Sequence, residues 1–458
     1  MLDQGIPQEP AAGLIEQRKG HPPSKTTGSL LKSHTGQIEE KALVVGVVFP
    51  GIGRIQEEES LNELVALAET AGARVVGKIM QTRNAAHAAT FIGKGKLGQL
   101  ARKASESEAG MIIFNADLTP AQARNLEGEL KRKILDRSGL ILDIFARHAR
   151  TRESQIQVEL AQLQYYLPRL TRLWTHLSRQ EAGIGTRGPG ETQLESDRRA
   201  IRKRIGHLQS ELEKIERQRS IRRKHRRNVP KAALVGYTNV GKSSLLTALA
   251  DSRVFVENRL FATLDATIRS MELEETGRVL LIDTVGFIRK LPHHLVASFR
   301  STLEESREAD ILLHVVDVSH AGFEEQMATV QSVLKDLDLD RKPVITVFNK
   351  VDRVASGEDL ALYKQRYPDV VFTSALKGMG LNALKSAVVD LLHQGESPGV
   401  VAVPHNASRA VAAVYDLARV VRREHADGQT ILHFFATAVQ RKKIDALVDR
   451  VMHEHTDH

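Results

Sequence analysis

Gly236, Tyr237, Thr238, Asn239, Val240, Gly241, Lys242 and Ser243 fit the spacing G-x-x-x-x-G-K-S, a pattern whose chemistry is phosphate binding. Glycines let successive backbone N–H groups curl around phosphate oxygens, and a helix opening just beyond adds the positive end of its dipole. Lys242 can reach the β- and γ-phosphates of a nucleotide, while the Ser243 hydroxyl can ligate Mg²⁺. The flanks suit that role. Ala232 to Val235 read as a short buried strand before the loop, and Ser244 to Leu249 as the opening of a helix after it. The pattern alone can arise by coincidence, so its companions decide what it means.

The companions follow in order. Leu280, Leu281 and Ile282 form an apolar run ending in Asp283, followed by Thr284, Val285 and Gly286. Asp283 is placed to hold Mg²⁺ through water, and the Gly286 N–H to touch a γ-phosphate. Upstream, Phe261, Ala262, Thr263, Leu264 and Asp265 form a switch loop; Thr263 is chosen to complete the Mg²⁺ shell, with Thr267 as competitor. Val344 to Phe348 read as a strand that delivers Asn349, Lys350, Val351 and Asp352. The Asp352 carboxylate accepts two hydrogen bonds from guanine, at N1–H and the exocyclic amine. Adenine has neither donor there and would leave a buried charge unpaired. Asn349 ties the base loop to the phosphate loop, and the stem of Lys350 covers the ring. A strand at Val370 to Phe372 leads to Thr373, Ser374, Ala375 and Leu376, where a backbone N–H can donate to guanine O6. These elements specify GTP, with Mg²⁺ as cofactor. Phe287 stands where many GTPases carry a glutamine that orients the attacking water. Phenylalanine cannot do that, so slow intrinsic hydrolysis is expected and no catalytic residue is assigned.

The rest of the 458 residues must position this site. The length suits about three domains. Without cysteine there are no disulfides or thiolate metal sites, which suits a reducing cytoplasm. No apolar run approaches a membrane span, and the first residues lack a signal-peptide layout, so a cytoplasmic, monomeric protein is expected. Net charge of +9 suggests a polyanionic partner. Residues 1–41 read as a disordered tail. Residues 42–150 alternate strands (Ala42 to Phe49, Arg74 to Ile79, Met111 to Phe114, Lys133 to Asp136) with helices (Ser60 to Ala71, Leu97 to Ser107, Thr119 to Lys131), an N-terminal α/β domain. Its Gly93-Lys94-Gly95-Lys96 turn reads as a basic turn or a phosphate holder.

Residues 151–229 change texture. Ile156, Leu160, Leu163, Leu167, Leu170 and Trp174, then Ile201, Ile205, Leu208, Leu212 and Ile215, step by three and four, the seams of a long antiparallel helical hairpin that Pro168 should kink. Gly183, Gly185, Arg187, Gly188 and Gly190 mark a glycine-rich tip suited to insertion into a partner such as RNA. A run including Arg222, Arg223, Lys224, Arg226 and Arg227 follows, almost free of acids, whose natural contact is phosphate. Few aromatics point to recognition by shape and backbone. Residues 230–394 form the nucleotide domain. Gly395 to Gly399 read as a linker, and 395–458 as a small C-terminal α/β module with a helix at Ser408 to Arg423, a strand at Thr430 to Ala436 and a helix at Arg441 to Met452. His453, His455 and His458 read as frayed tail. The fold class is α/β, a P-loop NTPase domain with these three additions.

The chain resembles the HflX family of translation-associated GTPases in Gly236 to Ser243, Phe261 to Asp265, Asp283 to Phe287 and the stretch from Gly183 to Glu195. The resemblance runs from about residue 42 to the C-terminus. It implies binding to the large ribosomal subunit and its rRNA, the hairpin tip reaching toward the peptidyl-transferase region, and GTP-dependent separation of stalled or idle ribosomes. A hydrophobic residue at Phe287 is typical of such GTPases; Ala266 stands where the family often has proline. The competing readings are an assembly factor or RNA chaperone acting on large-subunit precursors, and a modification enzyme gated by the nucleotide domain. The chain offers the last of these no cysteine nucleophile and no second cofactor fingerprint.

Overall fold

The computed structural model describes residues 40–170, 189–223, 229–250, 260–261, 265, 267–273, 277–290, 306–354, 357–405, 407–426 and 428–456, with backbone alone at 189–194, 219–223 and 450–456. Strand β1 (Glu40–Val48) is buried from Ala42 onward whichever way its side chains point, as expected inside a parallel sheet. It lies between β2 (Ala73–Thr82) and β3 (Met111–Phe114), and β3 pairs with β4 (Lys133–Asp136), all in parallel. Alternation along β1 divides two cores. Ala42 and Val44 pack with Leu61, Leu64 and Leu67 of α1 (Arg54–Thr70). Leu43 and Val45 pack with Leu100 of α2 (Lys94–Glu106) and Leu126 of α3 (Pro120–Leu130). Helix α3 starts where Thr119 and Gln122 form a reciprocal capping box ahead of Pro120.

Several elements have no counterpart in the sequence reading. Helix α4 (Arg137–His148) is buried almost throughout its first nine residues, so it shows no amphipathic stripe to read. Its Asp136 cap accepts from Gly139 N at 2.8 Å. In the nucleotide domain, β6 (Thr267–Leu273) runs antiparallel to β7 (Gly277–Asp283).

Helix α5 (Arg152–Tyr166) passes into a 3₁₀ turn, Leu167–Leu170, at Pro168, which interrupts the α-helical hydrogen bonding where the kink was expected. Trp174 and residues 171–188 lie outside the described residues. Helix α6 (Pro189–Arg223) already includes Pro189 and Gly190, so the expected tip is shorter at that end. Ile156 and Leu160 meet Leu208, with Leu163, Ile205, Leu212 and Ile215 around them. Arg152 bonds Glu211, and Arg204 bonds Glu159, so the two helices run antiparallel where they are described.

The second sheet orders its strands β10-β9-β8-β5-β7-β6. It contains β5 (Lys231–Gly236), β8 (Ile311–Asp317), β9 (Val344–Asn349) and β10 (Val371–Phe372), parallel to one another and to β7. Helices α7 (Lys242–Leu249), α8 (Phe323–Asp336), α9 (Gly357–Arg366) and α10 (Leu381–Leu392) accompany it. The third sheet is antiparallel, ordered β11-β13-β12, from β11 (Glu396–Pro404), β12 (Arg419–Ala426) and β13 (Gln429–Thr437). It corrects two readings. The expected linker at Gly395 to Gly399 enters β11, an edge strand where Pro398 is tolerated. The expected helix at Ser408 to Arg423 stops in α11 (Ser408–Leu417), because Arg419 onward pairs with β13. Helix α12 (Ala438–Thr456) also takes in His453 and His455; His458 lies outside the described residues.

Candidate functional site

The carboxyl ends of β5, β7, β8, β9 and β10 line up on one side of the second sheet, where open α/β sheets place ligands. Register aligns Leu234 with Asp283, Gly236 with Val315, and Asp317 with Asn349. The loop from Gly236 turns into α7 at Gly241, whose φ of +96° suits glycine. A Cβ on Gly241 would stand 2.4 Å from Asn349 Nδ2, so the loop and the base-side strand end are in direct contact.

Lys242 is buried, and its ammonium donates to the carbonyls of Gly236 at 3.1 Å and Tyr237 at 2.8 Å. Burial lowers its pKa to about 8, with the charge of Asp283 acting against that shift. Ser243 Oγ donates to Asp283 Oδ2 at 2.5 Å, and Thr284 Oγ1 donates to Leu234 O at 2.7 Å. The residues fit a magnesium nucleotide. A hydroxyl and a carboxylate in contact are hard oxygen donors of the kind Mg²⁺ takes, and the buried Thr238 Oγ1 in the loop has no hydrogen-bond partner in the protein. Val285 and Gly286 lead to Phe287, which is buried and bonded to the loop on both sides. Its N–H donates to Gly236 O, and its carbonyl accepts from Thr238 N.

At the other end, Asn349 Nδ2 donates to Val240 O at 2.9 Å, and its Oδ1 accepts from Ala375 N at 3.1 Å. Asn349 therefore ties three loops together. Lys350 donates to Asn239 O and to Asp317 Oδ2, both at 2.7 Å. Val351 opens a short 3₁₀ turn with Asp352, whose Oδ1 accepts from Ser374 Oγ at 2.5 Å. Leu376 is exposed. Thr263, with Ala262 and Leu264, lies outside the described residues, as do the tip residues Gly183, Gly185, Arg187 and Gly188 and the basic residues Lys224, Arg226 and Arg227. Arg222 and Arg223 end α6. Thr267 opens β6 opposite Asp283.

Contacts from the N-terminal sheet add residues that motif reading did not find. Tyr237 of the loop donates its hydroxyl to Glu63 at 2.5 Å and accepts from Arg289 N at 2.7 Å. Burial and then the Glu63 charge push its pKa upward. Arg289 also reaches Glu59, and Lys290 bonds the buried Glu57 at 2.8 Å. A cavity of about 310 Å³ opens here between Glu59 and Glu63 of α1 and the loop residues Tyr237, Thr238 and Asn239. On the opposite switch, Phe261 stacks edge-on against Phe145 of α4, centroids 4.7 Å apart. Asp265 accepts from Arg150 N (3.0 Å), Thr151 N (3.2 Å) and Thr151 Oγ1 (2.5 Å) at the start of α5. Burial raises its pKa, but bonds from Thr151, Ser154 and the two amides outweigh that and leave it lowered. Apart from Tyr237 with Arg289, these partners lie more than a hundred residues apart, beyond the reach of local spacing.

A parallel sheet with a Gly-x-x-x-x-Gly-Lys-Ser loop after an inner strand and an Asn-Lys-x-Asp loop two strands away defines a P-loop GTPase. Residues 231–350 match the family described as 50S ribosome-binding GTPase, 148–226 the GTP-binding GTPase middle region, and 58–146 the GTP-binding GTPase N-terminal region. GTPase HflX of Magnetococcus marinus is 44% identical over 90% of this chain and 95% of its own length. GTPase HflX of Escherichia coli K12 is 42% identical over 82% of this chain and 89% of its own. A GTP-binding protein from Sulfolobus solfataricus, solved with GDP, is 26% identical over 78% of this chain and 99% of its own, with a TM-score of 0.41, too loose to bear on any residue. The chain belongs to the HflX family of GTPases. It is a GTP hydrolase of a 50S ribosome-binding class. Among the described residues no helix is long and apolar enough to cross a membrane.

Proposed function

We propose that this protein binds the large ribosomal subunit in its GTP state, separates stalled or idle ribosomes, and is released by hydrolysis. On this reading Gly236 to Ser243 with Thr284, Val285 and Gly286 hold the phosphates, and Asn349 to Asp352 with Ser374 to Leu376 hold guanine. Ser243 and Thr263 would ligate Mg²⁺ directly and Asp283 through water, and the ion would neutralise charge on the β- and γ-phosphates. Phe287 offers no proton acceptor, so the ribosome supplies or induces the group that orients water. The chain then divides into residues 42–150, a hairpin at 151–229, a nucleotide domain at 230–394 and a C-terminal module at 395–458, with 1–41 as a tail. The glycine-rich stretch Gly183 to Gly190 and the basic residues from Arg222 to Arg227 are its rRNA contacts.

One observation carries this reading. Asp265, in the switch segment, accepts from the amides of Arg150 and of Thr151, the cap residue of α5, the helix that leads toward the glycine-rich stretch. A change of nucleotide state at the switch is thereby delivered to the root of the hairpin. Shortening Gly183 to Gly190 tests it. Intrinsic GTP hydrolysis should be spared while ribosome separation falls at least tenfold. Equal loss of both activities would make the stretch a structural element and defeat the proposal.

A further inference from the structure

Hydrolysis still lacks a group to meet the charge of its transition state. As water attacks the γ-phosphorus, the bond from phosphorus to the β–γ bridging oxygen breaks. Negative charge spreads over the γ-oxygens and onto that leaving oxygen, and the water's proton ends on the released phosphate. A second cation over the loop, beside Lys242, would stabilise this charge.

Arg289 is placed to be that cation. Residues 283–287 lie directly over the loop. Phe287 pairs with Tyr237 in a parallel bridge, and a Cβ on Gly286 would stand 2.8 Å from both Lys242 Nζ and Thr238 Cα. Two residues on, Arg289 emerges beside Tyr237, whose hydroxyl accepts its N–H at 2.7 Å. Its side chain lines the cavity over Tyr237, Thr238 and Asn239, and it is the only Arg or Lys among the described residues that do so.

Little holds its guanidinium where it stands. Nη1 lies 3.4 Å from Glu59 Oε2 of α1, and Nη2 donates to Glu325 Oε2 of α8 at 2.5 Å. The Glu59 and Glu325 side chains are 36% and 51% exposed, and pairs so open to water contribute little. Lys290 differs. It bonds Glu57, which is buried, and the Asn115 carbonyl, so the backbone stays docked while the Arg289 head group turns. The other carboxylates lining the cavity have cations of their own, Arg137 for Glu63 and Lys350 for Asp317. A γ-phosphate carries more charge than a carboxylate and seats a guanidinium bidentately, so it draws Arg289 and repels Glu59.

We propose that Arg289 is a catalytic residue, an arginine supplied in cis that leaves Glu59 and Glu325 for the γ-phosphate and stabilises the charge of the transition state. It deepens the reading of ribosome-activated hydrolysis, on which it rests for the event that brings the side chain across. Orientation of the attacking water remains the task of the group that the ribosome supplies or induces.

The test is Arg289→Ala in the full chain. Steady-state GTP hydrolysis is measured with and without purified large subunits. Affinity for GDP with aluminium fluoride, a mimic of the planar γ-phosphoryl group, is compared with affinity for a non-hydrolysable GTP analogue. Subunit-stimulated kcat should fall at least about a hundredfold, given that an arginine in this role contributes about 10³ to 10⁵. KM should stay within about threefold, because the contact belongs to the transition state. The aluminium fluoride complex should be lost and the analogue retained. An unchanged kcat overturns the inference. So does equal loss of both complexes, which would make Arg289 a structural tie. Glu59→Gln should raise hydrolysis without subunits about threefold, the scale of one surface pair, and Arg289→Ala should cancel the gain; a gain that survives Arg289→Ala contradicts the inference. If large subunits fail to stimulate the unaltered protein, the ribosome-activated reading falls, and the aluminium fluoride comparison still decides Arg289. If they stimulate it and the variant equally, Arg289 alone falls.

Discussion

Lys242 and Asp352 carry the residue-scale consequences. A buried lysine whose pKa is held near 8 by desolvation regains its proton when phosphate charge arrives, so nucleotide binding takes up a proton above that pH. Affinity for GTP should therefore weaken as pH rises from 8 to 9, approaching but not exceeding about tenfold per unit; fluorescence titration across that range would check it, and a flat profile contradicts the phosphate contact. Lys242→Ala should abolish tight GTP binding altogether. Asp352→Asn should exchange guanosine for xanthosine preference, because the amide presents a donor where guanine also presents one. Retained GTP preference in a competition assay would remove Asp352 from the base site. These residues were legible because the motif that contains each is a few residues long. The partners that hold the loop from outside were not. Glu63 meets Tyr237 across 174 positions, and nothing in either residue's neighbours announces the other.

At the scale of elements, both switch segments end on the N-terminal half of the molecule. Arg289 and Lys290 lie on α1 carboxylates, and Asp265 holds Arg150 and Thr151 just ahead of α5. Asp265→Ala should leave GTP binding intact but deprive the Arg150 and Thr151 amides of their acceptor. Amide exchange at those two positions should rise roughly tenfold, the equivalent of about 1.4 kcal/mol; unchanged exchange would mean the cap contributes nothing. The depressed pKa of Asp265 gives this joint a pH sense. It is fully formed above the ordinary aspartate pKa and is lost only as pH falls through the lowered folded value, so it is intact at neutral pH. Strands β1, β3 and β5 were readable as unbroken apolar runs. Helix α4 was not, since burial on all sides erases its period. The C-terminal sheet misled for another reason. Arg419 to Arg423 continue the composition of α11, and only pairing with β13, a tertiary contact, makes them a strand.

The molecule as a whole joins a GTP site to two helices that run antiparallel and to a surplus of positive charge. Net charge of +9 supports a polyanionic partner but does not name it. The family match names the class, 50S ribosome-binding GTPase, and separation of ribosomes is the step beyond it. Sucrose-gradient sedimentation of intact ribosomes, mixed with the protein and a non-hydrolysable GTP analogue, tests that step most directly. Separation into subunits, with the protein travelling on the large one and GDP failing to produce the effect, is the predicted result. Intact particles that stay whole while the protein binds only large-subunit precursors would contradict it.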